Sequence, residues 1–298
     1  MTNRKILHAC LQAIALTFVL QEAAYAQWPG IPDGWSDGYV YANGIRIHYY
    51  QAEPQPDKPV IVMAHGGSDI GLNWTTLTWE LEDDFNIYMV DARGHGLTDP
   101  PSTFDERDAM VKDLVGFIET MDIENPIIMG HSMGAGTAMN IGADYPDLAG
   151  AIILLDPRLI PRAGDQGPPT RTPEELVAWN NTSFDDLMAQ CRSGTPKWSE
   201  VDCEYWALSK KQYHGTYAGG NRGFAANTRS TQTTLAMIQV PTLVLKADAF
   251  AEDRAADQEV VSEIENVNVV HIDGAGHNLH HDELEATVNV MTEFLSYL

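Results

Sequence analysis

The pentapeptide Gly130-His131-Ser132-Met133-Gly134 constrains this chain more than any other feature. It follows an apolar run, Pro126-Ile127-Ile128-Met129, and leads into Ala135-Gly136-Thr137-Ala138, which suits the start of a helix. Glycine two residues before and two residues after a serine lets a strand turn sharply into a helix, because no Cβ blocks the crossing backbone. Such a turn lifts the serine hydroxyl clear of the sheet. A serine hydroxyl is a weak nucleophile unless it is exposed, oriented and partnered with a base. The motif therefore asks for a strand before it, a helix after it and a base elsewhere in the chain.

The flanking sequence supplies that setting. Gly38 to Tyr50 reads as two short strands turning at Asn43-Gly44, a hairpin signal. Short apolar runs recur at Pro59 to Ala64, Ile87 to Val90, Pro126 to Met129, Ala151 to Leu155, Thr242 to Leu245 and Val267 to Val270. Runs of this kind suit strands buried on both faces of a parallel sheet. Between them, Met110, Val111, Leu114, Val115, Ile118 and Met121 form one helical stripe, and Ser132 to Tyr145 and Asp282 to Leu298 also read as helices. The expected fold is α/β, a doubly wound and mostly parallel sheet. The rhythm breaks after Asp156. Residues 157–235 contain Pro161, Pro168, Pro169, Pro173 and Pro196, helix-like stretches, and the aromatics Trp179, Trp198, Tyr205, Trp206, Tyr213 and Tyr217. This segment reads as a helical lid inserted into a core of residues 27–156 and 236–298.

Two further segments carry chemistry. His65-Gly66-Gly67 ends the strand before it. In acyl transfer, negative charge grows on the carbonyl oxygen, and two backbone N–H groups aimed there lower the barrier by several kcal/mol. Gly67 and Met133 are the expected donors. His277, in Gly274-Ala275-Gly276-His277-Asn278, follows the last strand and is placed to swing over the strand ends as a base. His280 and His281 share its helical face, but no carboxylate or cysteine pattern completes a metal site, so neither metal nor organic cofactor is expected.

These motifs, with Asp91-Ala92-Arg93-Gly94-His95-Gly96, resemble the α/β-hydrolase superfamily across nearly all of the chain after residue 26. The resemblance implies Ser132 as nucleophile, His277 as general base, and a lid between the sixth and seventh strands. It implies a structural part for Arg93 and His95. Relatives that open epoxides or displace halides use an aspartate nucleophile, and Ser132 argues against both. The acid of the triad has two candidates. Most relatives carry it in the loop after the seventh strand, where Phe250 occupies the usual position and Asp248 lies two residues earlier. Others carry it at the end of the sixth strand, which here is Asp156. The commoner location favours Asp248. Trp74, after the glycine loop, and His131 are candidate pocket residues.

Composition narrows the function classes. The formal charge is −24, which repels a phosphate backbone and makes nucleic acid an improbable partner. Arg4 and Lys5 precede an apolar run from Ile6 to Leu20, and Ala24-Tyr25-Ala26 offers small residues where a signal peptidase reads. This is the layout of a signal peptide spanning residues 1–26, cleaved before Gln27, in an exported, periplasmic or secreted protein. The run is short for a bilayer span of about 20 apolar residues, and no later segment is apolar enough to cross a membrane. Cleavage removes Cys10 and leaves Cys191 and Cys203, either as a disulfide or as two thiols. The expected activity is hydrolysis of a small-molecule ester or lactone. Peptidase and carbon–carbon bond hydrolase activities need the same triad, and a non-catalytic small-molecule sensor would keep the same pocket.

Overall fold

The computed structural model describes residues 28–102, 105–160, 173–214 and 229–298. The expected signal peptide and Cys10 lie outside them, as do Pro161, Pro168, Pro169 and Tyr217. The contacts divide the chain into Met1–Gly30 and Ile31–Leu298, and every element below belongs to the second unit. Trp28 to Gly30, the described residues of the first unit, have no regular secondary structure.

Eight strands form one sheet: β1 (Ser36–Ala42), β2 (Ile45–Gln51), β3 (Val60–Ala64), β4 (Asn86–Val90), β5 (Ile127–His131), β6 (Ala151–Leu155), β7 (Thr242–Lys246) and β8 (Val267–His271). Their spatial order is β1-β2-β4-β3-β5-β6-β7-β8. The β1–β2 hairpin turns at Asn43 and Gly44, both at positive φ (47° and 78°), as a tight hairpin requires. β2 is antiparallel to β4, and from β4 to β8 all neighbours are parallel. The chain crosses over β3 on its way from β4 to β5. The carboxyl ends of β3 and β5 therefore flank the point where strand order reverses, which is where α/β sheets place their ligands.

The apolar strand runs alternate their side chains between two cores. Val62 and Ala64 of β3, and Ile152 and Leu154 of β6, enter one core with α2 (Ala109–Thr120) and α3 (Met133–Asp144). Ile61 and Met63, with Ile153 and Leu155, enter the other, which holds a 3-10 turn at Gly71–Trp74 and α1 (Thr75–Trp79).

Between β6 and β7 lie α4 (Pro173–Asn181), α5 (Phe184–Gly194), α6 (Glu200–Lys211) and α7 (Thr231–Leu235). Ser183 and Ser199 cap α5 and α6, each accepting the backbone N–H three residues on. A disulfide joins Cys191 of α5 to Cys203 of α6, with the Cα atoms 5.5 Å apart. Around it Leu187, Met188 and Ala207 form a small core, against which Trp198 and Trp206 pack. These lid aromatics thus stabilise the hairpin itself. Tyr205 and Leu208 root α6 in the core that holds α1, and Leu159 and Leu235 root the ends of the inserted segment in the other. α8 (Ala251–Val261) follows β7, and the short α9 (Leu279–Asp282) and α10 (Leu284–Leu295) close the chain after β8.

Candidate active site

Ser132 stands between the end of β5 and the first residue of α3, at φ 50° and ψ −106°. Such a backbone costs a non-glycine residue about 1–3 kcal/mol and persists only where the surroundings impose it. They do so here: Ser132 N–H donates to Leu155 O at 2.9 Å, and Gly134 N–H to His65 O at 3.1 Å. Both flanking glycines are required by contact. A Cβ on Gly130 would lie 2.2 Å from Gly134 O, and one on Gly134 would lie 2.0 Å from Ala64 O.

The loop after β8 brings His277 to this serine. Ser132 Oγ and His277 Nε2 are 2.9 Å apart, and His277 Nδ1 is 2.6 Å from Asp156 Oδ2. The carboxylate only accepts, so Nδ1–H donates to it and Nε2 is left to accept from the serine hydroxyl. Asp156 follows β6 and sits at φ 43°, its N–H held by Leu245 O at 2.7 Å. Its other oxygen, Oδ1, takes Lys246 Nζ at 2.6 Å and Ala247 N–H at 3.3 Å. Burial works to raise the Asp156 pKa, but the hydrogen bond from His277 and the charge of Lys246 prevail and hold it well below the usual carboxylate range.

The preference for Asp248 is corrected by this geometry. Asp248 accepts Gly274 N–H at 2.9 Å and pairs with Arg254 at 2.5 Å. Its carboxylate braces the backbone of the His277 loop and is 44% exposed, while the imidazole bonds Asp156. The Gly274 N–H, then Arg254, hold its pKa low. Phe250, at the usual acid position, is exposed at the N-terminus of α8.

Of the two expected oxyanion donors, one directly follows the serine. Met133 opens α3, and Gly67 lies on the loop leaving β3. Among the described residues neither N–H is taken by a protein acceptor. The Gly67 loop is tied to the lid by a buried cation that the sequence did not single out. Lys210 Nζ of α6 donates to Ser68 O at 2.9 Å and lies 3.2 Å from Asp69 Oδ1. Asp69 is largely buried, its side chain 16% exposed, which works to raise its pKa, but Lys210 and then the neighbouring His131 and His65 keep it below the ordinary value.

Trp74 and His131 are not pocket surface. They are 1% and 2% exposed and form a column of rings behind His277. His131 lies 4.8 Å from His277 and 4.8 Å from His280, while Trp74 lies 4.7 Å from His280. His131 Nε2–H donates to His277 O at 3.0 Å, so this ring holds the backbone of His277. Burial, then the neighbouring His277, pushes the His131 pKa down to about 4. Arg93 is held by Asp113 and Asp105, and His95 donates to Arg93 O, in keeping with the structural part expected of both. Among the described residues no group of three His, Cys, Asp or Glu side chains is arranged to hold a metal ion, and no helix is long and apolar enough to cross a membrane.

Comparison with known proteins places this geometry. The sequence profile described as the Alpha/beta hydrolase family matches residues 61–290. The chain is 25% identical to the 2-(acetamidomethylene)succinate hydrolase of Mesorhizobium japonicum over 250 residues, 80% of this chain and 88% of that one. It is 22% identical to epoxide hydrolase 1 of Caenorhabditis elegans over 305 residues, 93% of this chain and 74% of that one. Among solved structures, the enol-lactonase from Burkholderia xenovorans superposes with a TM-score of 0.64 at 21% identity, covering 87% of this chain and 100% of that one.

Proposed function

The chain belongs to the alpha/beta hydrolase family, and on that premise we propose that it cleaves a small carboxylic ester or lactone through an acyl-enzyme on Ser132. The observation that carries this reading is the continuous series Ser132 Oγ, His277 Nε2, His277 Nδ1 and Asp156 Oδ2, at 2.9 and 2.6 Å. His277 takes the serine proton as Oγ attacks the carbonyl carbon, and Asp156 stabilises the imidazolium that forms. The N–H groups of Met133 and Gly67 receive the oxyanion, each worth roughly 3 kcal/mol in the transition state. The imidazolium protonates the departing alkoxide. Water, deprotonated by His277, then attacks the acyl carbon and releases Ser132. A serine at 132 suits this acyl transfer, and opening an epoxide on the same fold uses an aspartate there.

The similarity to a 2-(acetamidomethylene)succinate hydrolase brings amides into the substrate class to be examined, since the same triad serves both bonds. The Cys191–Cys203 disulfide supports the further proposal that the protein is exported with cleavage before Gln27, because such bonds persist in oxidising compartments.

The test is hydrolysis of short-chain aryl esters, simple lactones and N-acyl amides by purified protein beside Ser132→Ala. An initial burst of aryl alcohol, with turnover reduced about 10⁴-fold or more in the variant, is expected. Equal turnover in both proteins would overturn the mechanism. Ligand binding without turnover in either would favour a small-molecule sensor.

A further inference from the structure

Lys246 is the last residue of β7, and its side chain is only 14% exposed. Its ammonium does not reach solvent freely. It lies 2.6 Å from Asp156 Oδ1 and donates to Pro157 O at 2.7 Å. The backbone beneath it is fixed, because Ile272 N–H donates to Lys246 O and Asp156 N–H to Leu245 O. The two oxygens of Asp156 are thus divided, Oδ2 to His277 and Oδ1 to Lys246.

We propose that Lys246 is a positioning residue of the triad, which fixes the rotamer of Asp156 and partly neutralises its charge, so that the imidazole faces an ion pair and not a bare carboxylate. The inference rests on the Ser132 mechanism above. Its logic is electrostatic. A bare carboxylate at 2.6 Å stabilises the imidazolium strongly, and an ammonium on the far oxygen offsets part of that stabilisation. Removing the ammonium would expose the imidazole to the full charge of the carboxylate.

The other groups facing His277 leave this contribution distinct. His131 lies at 4.8 Å and donates to the His277 carbonyl. His280, edge-on to His131, is buried and held neutral far below the ordinary histidine range by burial and then by the neighbouring histidines. Asp248 and Asp282 hold the loop backbone through the N–H groups of Gly274 and Gly276, at 2.9 Å each. Lys246 is the cation that bonds the carboxylate facing the imidazole.

The experiment is the rate of labelling by a fluorophosphonate probe as a function of pH, for wild type, Lys246→Gln, Lys246→Met and Lys246→Arg. In this reaction the Ser132 Oγ–P bond forms, the P–F bond breaks, fluoride leaves and His277 takes the serine proton, so the rate falls on the acid side as the imidazole protonates. The acid limb is expected to move up by about half to one pH unit in Lys246→Gln and Lys246→Met, a three- to tenfold loss of rate below the limb. Lys246→Arg should restore the wild-type limb. Lys246→Gln keeps the chain length and a donor, so it carries the test if Lys246→Met does not fold. A limb that stays in place in the neutral variants, or moves equally in Lys246→Arg, overturns the inference. Wild type that is folded and unlabelled at every pH overturns the Ser132 mechanism itself.

Discussion

At the scale of single residues, the division of labour between two aspartates is the sharpest outcome. Asp156→Asn should lower kcat/KM by about 10⁴-fold, since an amide cannot hold the imidazole in the productive tautomer. Asp248→Asn should leave kcat/KM within a few-fold of wild type, and steady-state kinetics on any accepted ester separates the two. The Asp156 pKa is depressed, so its contribution to stability is present above the unfolded value near 3.9 and is lost only as pH falls through the lower folded value. The pairing of Ser132 with His277 was legible in the sequence because each is part of a local motif whose chemistry needs fixed neighbours. The acid was not. β6 and β7 both end in a loop carrying an aspartate, and linear spacing does not say which carboxylate faces the imidazole. Arg254, six residues on, and Gly274, 26 residues on, claim Asp248, and nothing in the spacing shows that they do. Trp74 and His131 were misread for a related reason: proximity to a motif does not give side-chain direction, and both point inward.

At the scale of elements, the strands were readable because a parallel sheet buries both faces and leaves unbroken apolar runs. The hairpin at Asn43-Gly44 was readable because only a few residues accept positive φ in succession. The attachment of the lid was not, since Lys210 on α6 looks like any charged residue near a helix C-terminus. In the structure it is a buried cation on the glycine loop. Lys210→Met would strand Asp69 as an uncompensated buried carboxylate, at a cost of about 3–5 kcal/mol. The double variant with Asp69→Asn should recover much of that loss, and denaturant unfolding of the three variants against wild type measures it. The disulfide spans 12 residues between α5 and α6. Reducing it should remove about 3 kcal/mol by loop entropy, read as a lower unfolding midpoint in reductant together with faster amide exchange in α5 and α6.

At the scale of the whole molecule, four buried histidines bias the fold against acid. His65, His95, His131 and His280 all have lowered pKa values, with burial the leading cause in each, and those of His95 and His131 are about 3 and about 4. A histidine whose folded pKa is depressed is neutral in both states above about 6.5, whereas at lower pH the unfolded chain gains the proton first. Stability should therefore fall progressively from about pH 6.5 toward pH 4. His48 opposes this: burial lowers its pKa, but Asp91 and Asp37 prevail and raise it, so its contribution is full in acid and fades as pH rises through the folded value. Four groups against one set the sign, and thermal unfolding across that range is the check. The central claim, that the turn after β5 carries an activated serine, is tested most directly by incubating the protein with a fluorophosphonate and recording the intact mass, followed by peptide mapping. A single adduct on Ser132, absent from Ser132→Ala and nearly absent from His277→Ala, is the result the hydrogen-bonded series predicts. An adduct on another residue, or none on folded wild type, would contradict it.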